Sequence, residues 1–344
     1  MRFSRLITAV DSHTEGEPAR VVIGGIPHVP GETMFDKKLW AEKHLDGLRT
    51  MLMFEPRGHS SMSGSIITAP CSPEADFGVL YIEVTGFLPM CGHATIATCT
   101  VLVEAGIIEV TEPVTNITLD TPAGLVQAEV LIEDGVAKSV IFRNVPSFLY
   151  RGDVEVVVPS LGRIGLDIAW GGDFYAIVPA ASVGLQVDPA HARGFIDRGT
   201  EIRDAIFGQV EVAHPDNPAI NLCTQVRFTG PARNPKATGR NVVFYGAEGL
   251  DRSPCGTGTS AEMAVLYARD RLALNEEFVS ESIVGSLFYG KLVDTTRVGA
   301  YPAVVTTIKG SAYITGIQQF VLDPRDPWPR GFYVGPKSRW GADF

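Results

Sequence analysis

Nothing in the 344-residue sequence approaches the run of about 18 apolar residues that crossing a bilayer requires. Positive charge is neither clustered nor in excess. There are 29 Lys and Arg against 39 Asp and Glu, a net charge of −10, so neither nucleic acid nor an anionic membrane is expected as a partner. The five cysteines (Cys71, Cys91, Cys99, Cys223 and Cys255) are odd in number, scattered and without a CxxC pair. That pattern argues against a disulfide framework and a zinc site, and it favours a reducing compartment. The opening MRFSRLITAVDSHTEGEP has too short an apolar part for a signal peptide, so a cytoplasmic location is expected. The glycines of GTGTS are not followed by the lysine of a phosphate-binding loop. What remains is a globular composition, 45% hydrophobic and 20% charged. The 36 Gly and 23 Pro imply many turns, and the chain is long enough for two domains.

The stretch DRSPCGTGTSAEMAVLYARDRL, Asp251 to Leu272, has an earlier echo in MCGHATIATCTVLVEAGII, Met90 to Ile108. With Cys91 laid on Cys255, Gly92 meets Gly256, Thr95 meets Thr259, Ala97 meets Ala261, and Val101 and Leu102 meet Val265 and Leu266. Each segment is Cys-Gly, small polar residues, then an apolar run with helical periodicity. Each cysteine therefore falls at a helix start, the second flagged by Ser253-Pro254. The N–H groups of Gly92, His93, Gly256 and Thr257 would lack intrahelical partners there. Together with the helix dipole they suit an anion, and the same field lowers the pKa of a thiol. Two copies suggest two thiols aimed at one ligand.

Elsewhere short strands alternate with few helices. Phe3 to Val10 and Arg20 to Ile23 read as strands around the turn DSHTEGEP, in which His13, Glu15 and Glu17 are taken as turn residues. Asp36 to Arg49 reads as a surface helix, followed by an apolar segment at Thr50 to Phe54 and the strand Gly78 to Val84. Val114 to Thr121, Gly124 to Ile132 and Ala137 to Asn144 form a hairpin-like series. A second set begins near Val154, with the GGDFYAIV strand, a charged helix near Asp188 to Gly208, and further strands on either side of the second cysteine helix. Each half is thus mostly antiparallel strand around one helix that is apolar nearly all round and must be buried. The halves are expected at 1–150, joined by 320–344, and at 151–319.

The segments DSHTEGEP, EPRGH, PMCGH, DRSPCGTGTSA and GSAYITG resemble those of the proline racemase family, over a span from about Arg2 to Phe332. That family includes 4-hydroxyproline 2-epimerases and trans-3-hydroxyproline dehydratases. The resemblance implies an α+β, diaminopimelate-epimerase-like fold of two pseudo-symmetric halves, no pyridoxal phosphate, no metal, and a homodimer. It casts Cys91 and Cys255 as the acid/base pair that removes a proton from one face of Cα and returns one to the other. Gly92, His93, Gly256 and Thr257 would hold the substrate carboxylate or line its site, with Asp251 and His93 near the ring nitrogen. Family members acting on bare proline commonly place phenylalanines at two positions that fall here on Ser63 and Tyr245. Gln225 falls where hydroxyproline epimerases place a polar side chain. These polar replacements favour a hydroxylated proline over proline itself.

The dehydratases carry Thr where this chain has Cys255, which disfavours that branch. Two readings from other classes remain. A cysteine hydrolase would use Cys91 with His93 or His59 as base, although a spacing of two residues on a helix is poor and Cys255 would be idle. A small-amino-acid binding protein would use the same helix-end anion site without chemistry. Cys71, Cys99 and Cys223 match no motif and are read as structural.

Overall fold

The computed structural model describes residues 3–246 and 249–334. The chain forms two compact units, Met1–Phe142 with Gly310–Phe344, and Arg143–Lys309. The boundaries expected at 150/151 and 319/320 fall inside strands, Phe148–Val158 and Ala312–Leu322. Residues beyond 334 in the expected 320–344 stretch lie outside the described residues. The class is α+β.

In the first unit the strand order runs Ala312–Leu322, Arg5–Thr14, Glu17–Gly24, Ser63–Thr68, Phe77–Glu83, Val114–Thr121, Gly124–Glu133. The third strand pairs with the fourth in parallel, as does the fifth with the sixth; the other neighbours are antiparallel. In the second unit the order Phe148–Val158, Gly162–Trp170, Phe174–Pro179, Gln225–Gly230, Gly239–Gly246, Glu277–Glu281, Leu287–Val298 repeats the same directions, and Tyr301–Gly310 adds one antiparallel strand. The internal repeat is therefore one of sheet topology as well as of the cysteine motif.

The helices are α1 (Met34–His44), α2 (Asp46–Met53), α3 (Gly92–Glu104), α4 (Ala192–Gln209) and α5 (Gly256–Ala268). α3 is buried from Gly92 to Val103. It touches Ala312–Leu322 at one end of its sheet order and Gly124–Glu133 at the other, so the sheet curls around it. α5 likewise touches both Phe148–Val158 and Leu287–Val298. A helix buried on all sides must satisfy its polar side chains internally. In α3 the hydroxyls of Thr95, Thr98 and Thr100 donate to the carbonyls of Cys91, Ala94 and Ile96. In α5 Ser260 donates to Gly256 O at 3.0 Å. Glycine lets the sheet approach α5: a Cβ on Gly171 would lie 2.1 Å from the Thr257 carbonyl oxygen.

The single surface helix expected over Asp36 to Arg49 is two helices broken at Leu45 (φ −117°, ψ 6°), and most of α2 is buried. The Arg49 guanidinium ties the second helix to its surroundings. It donates to Asp46 Oδ1 at 2.7 Å and to the carbonyls of Glu83 and Val84, so burying it brings Leu48, Met51 and Leu52 inward. The apolar segment from Thr50 is the end of α2. No helix among the described residues is long and apolar enough to cross a membrane.

Burial also sets an alkaline limit on stability. Desolvation pushes the Cys99 thiol, inside α3, up to about 12. A thiol that ionises near 8.5 in the unfolded chain then favours the folded state below that pH, and the contribution is lost as pH rises toward 12. Between those values the loss is roughly 1 kcal/mol per pH unit for such a thiol. Urea unfolding from pH 8 to 11 should show a shallower decline of stability for Cys99→Ala than for the parent. Parallel declines would contradict the assignment.

Candidate active site

Both cysteines of the repeated motif are N-caps, and both are buried. Their surroundings differ. In the first unit Cys91 is extended (φ −145°, ψ 113°) and its Sγ lies 3.4 Å from His93 Nδ1. His93 Nε2 is 2.6 Å from Ser63 Oγ, which in turn donates to the Pro18 carbonyl at 3.2 Å. A hydroxyl has one proton, so when Ser63 gives it to Pro18, His93 donates through Nε2. Neutral His93 then presents the bare Nδ1 to the Cys91 thiol, and a cationic His93 would donate to the thiolate instead. Ser63, Cys91, Gly92 and His93 are therefore brought together. The spacing argument against a Cys91–His93 contact fails, because the N-cap lies outside the helical geometry on which it relied.

In the second unit Cys255 has a left-handed backbone (φ 63°, ψ 102°). For a residue with a Cβ this costs about 1–3 kcal/mol and persists only where neighbours enforce it. The enforcement is visible. Asp251 N–H donates to the Val243 carbonyl, Ser253 N–H to Asp251 Oδ1 at 2.7 Å, and Cys255 N–H to Ser253 Oγ at 3.1 Å. The buried Arg227 donates to the Pro254 carbonyl at 3.1 Å and to Asn241 Oδ1 at 2.9 Å, and pairs with Glu262 at 2.7 Å. Asp251 thus serves the turn that precedes the thiol, and its charge also reaches Cys255.

Burial, with the Asp251 charge adding to it, pushes the Cys255 thiol up to about 12 against the opposing effect of Arg227. The sequence expectation was the reverse, that the helix N-terminus lowers the thiol. Desolvation outweighs the helix end here. Around Sγ stand Tyr175 Oη at 3.5 Å and Thr257 Oγ1 at 4.0 Å, and the two hydroxyls are 2.6 Å apart.

Gln225 lies on the strand beside Tyr175, in direct register with it, and its Nε2 donates to Asp173 Oδ2 at 3.2 Å. Tyr245 is buried one residue past Phe244, which pairs with Val226. Its ring closes over Gly249, where a Cβ would come within 2.3 Å of it. Ser63, Cys91, Gly92 and His93 belong to the first unit; Gln225, Tyr245, Asp251, Cys255, Gly256 and Thr257 belong to the second.

Sequence reasoning missed Tyr175, Arg227 and Gly258. Tyr175 was visible only as an aromatic in the strand segment GGDFYAIV. Nothing local in the sequence marks it as a neighbour of a cysteine 80 positions away.

Comparison with known proteins decides the family. The proline racemase model matches residues 9–333. The chain belongs to the proline racemase family. A 4-hydroxyproline 2-epimerase of Streptosporangium roseum is 53% identical over 334 residues, covering 97% of this chain and 100% of the relative. A proline racemase of Clostridioides difficile is 46% identical over the same length, with 97% and 100% covered. The crystal structure of a hydroxyproline epimerase from Agrobacterium vitis, with bound trans-4-hydroxy-L-proline, superposes with a TM-score of 0.93 at 37% identity. It covers 99% of each chain.

Proposed function

We propose that this member of the proline racemase family is a cofactor-independent isomerase that inverts Cα of a proline-type imino acid, with 4-hydroxyproline favoured over proline. One thiol of the pair Cys91 and Cys255 acts as thiolate and removes the α-proton; the other, as thiol, delivers a proton to the opposite face. The reverse reaction exchanges the roles. The observation that carries the reading is that each helix N-terminus bears a cysteine with its own proton partner. These partners are His93 at 3.4 Å for Cys91 and the Tyr175 hydroxyl at 3.5 Å for Cys255. The first-turn N–H groups at Gly92, His93, Gly256 and Thr257 suit the substrate carboxylate, and stabilise the charge that grows on it as the carbanion forms.

The preference for a hydroxylated ring rests on Ser63, Tyr245 and Gln225. All three are buried and polar, and such side chains can exchange hydrogen bonds with a ring hydroxyl, which bare proline does not offer. The relative at 53% identity, a 4-hydroxyproline 2-epimerase, supports the same direction.

The test is proton NMR in deuterated water with L-proline, trans-4-hydroxy-L-proline and trans-3-hydroxy-L-proline supplied separately. Loss of the α-proton signal with appearance of the epimer, fastest with the 4-hydroxy compound, is the expected result. Faster inversion of proline would mean that Ser63 and Tyr245 do not select the ring. A Δ1-pyrroline product would bring back the dehydratase reading. No exchange with any of the three would overturn the proposal.

The Cys91–His93 contact favours one second reading, a cysteine hydrolase with His93 as base. It leaves Cys255 without a role, and a hydrolase would show neither α-proton exchange nor an epimer in the NMR test.

A further inference from the structure

We infer that the hydroxyls of Tyr175 and Thr257 form a cradle for the Cys255 thiolate, with Tyr175 as the donor and positioning residue that holds this sulfur ready to accept the substrate proton. The inference rests on the reading of Cys255 as one member of the acid/base pair. Tyr175 comes from strand Phe174–Pro179 and is buried against the same cluster as Cys255, with Ile177, Val243, Ala261 and Val265. Its Oη lies 3.5 Å from Sγ and 2.6 Å from Thr257 Oγ1.

The cradle also explains a glycine. A Cβ on residue 258 would sit 2.9 Å from Cys255 Sγ, 3.1 Å from Arg227 Nη1 and 3.2 Å from Tyr175 Cε1. A side chain there would push the phenol and the sulfur apart.

The hydroxyl pair can serve both protonation states without itself changing charge. With Cys255 as thiolate, Thr257 O–H donates to Tyr175 Oη and Tyr175 O–H donates to Sγ. With Cys255 as thiol, S–H points to Tyr175 Oη, and Tyr175 O–H turns to Thr257 Oγ1. The proton that leaves Cα ends on sulfur, and the phenol only rotates. Burial, with Cys255 and Asp173 nearby, pushes the Tyr175 phenol well above its ordinary value, so it remains a donor and not a competing base. The cradle matters because the other influences on Cys255 conflict. Burial and the Asp251 carboxylate oppose the thiolate, while the Arg227 guanidinium favours it.

The test is the pH dependence of iodoacetamide alkylation, read at each cysteine by peptide mass spectrometry, in the parent and in Tyr175→Phe. Phenylalanine keeps the ring in its apolar cluster and removes only the donor. A hydrogen bond to a charged group of this strength predicts an upward shift of about one to two pH units for Cys255, a tenfold to hundredfold loss of thiolate at fixed pH. The Cys91 profile should stay in place and serves as the folding control. The kcat/KM pH profile should move in the same direction. Alkylation reports on the thiol without turnover, so a protein that inverts no proline could still show the shift; the functional reading would then fail alone. An unmoved Cys255 profile in a variant that retains its Cys91 profile overturns the cradle.

Discussion

Serine in place of Cys255 is expected to abolish inversion while leaving α-proton exchange of one enantiomer in place. The two outcomes separate because inversion needs an acid/base group on each face, whereas exchange needs only one that removes a proton and returns a solvent deuteron. Serine's hydroxyl is a far weaker acid than a thiol. The Tyr175 donor beside the sulfur position cannot supply a base where burial already opposes ionisation of the thiol itself. Loss of a positioned acid/base group costs about 10²–10⁴-fold in rate. Cys91, with His93 Nδ1 at 3.4 Å, retains its own proton partner, so deuterium still enters the enantiomer it serves. Cys91→Ser should reverse the enantiomer that exchanges. Proton NMR in deuterated water with each enantiomer of 4-hydroxyproline reads both. Full inversion by Cys255→Ser would sink the two-thiol mechanism.

The largest stability effect is expected at Arg227. Its side chain is fully buried, and it donates to Glu262, Asn241, Thr259, Ser280 and the Pro254 carbonyl. Arg227→Met strands the Glu262 carboxylate and removes the guanidinium donor from Asn241 Oδ1. Removing one partner of a buried ion pair costs about 3–5 kcal/mol. Glu262 is 16% exposed, so water partly relieves the stranded charge, and the lower end of the range is the better expectation. Glu262→Gln keeps an acceptor for the guanidinium and should cost less. Denaturant unfolding of the two variants beside the parent gives the comparison. An Arg227→Met variant within about 1 kcal/mol of the parent would show that the network is dispensable. The Pro254 carbonyl held by Arg227 immediately precedes the left-handed Cys255, so the same variant should lose activity at temperatures where it is still folded.

The pattern of residues along the chain was enough to locate the two cysteines, to start α3 and α5 within one residue of them, and to reveal the repeat. All of these are local. Helical periodicity, a Cys-Gly step at a helix start and the alternation of strands are written in neighbouring residues, and the family resemblance rests on the same short segments. The burial of α2 was not visible, because the Arg49 guanidinium finds its carbonyls more than 30 residues away, at Glu83 and Val84.

The chemistry around the thiols was legible only in part. Each cysteine's own neighbours along the chain, Gly92 and His93 or Gly256 and Thr257, could be named because a helix start dictates which N–H groups are free. The phenol beside Cys255 could not be named, since it is 80 residues away and arrives on a strand whose sequence serves equally well as core. The direction of the Cys255 shift was likewise beyond local inference. A helix end is a property of a few consecutive residues, but desolvation is a property of everything that surrounds the sulfur, and only the folded chain assembles that. The sequence by itself determined which atoms could do the chemistry; tertiary structure decided their protonation and their partners, because burial and long-range contact exist only once the chain has closed around them.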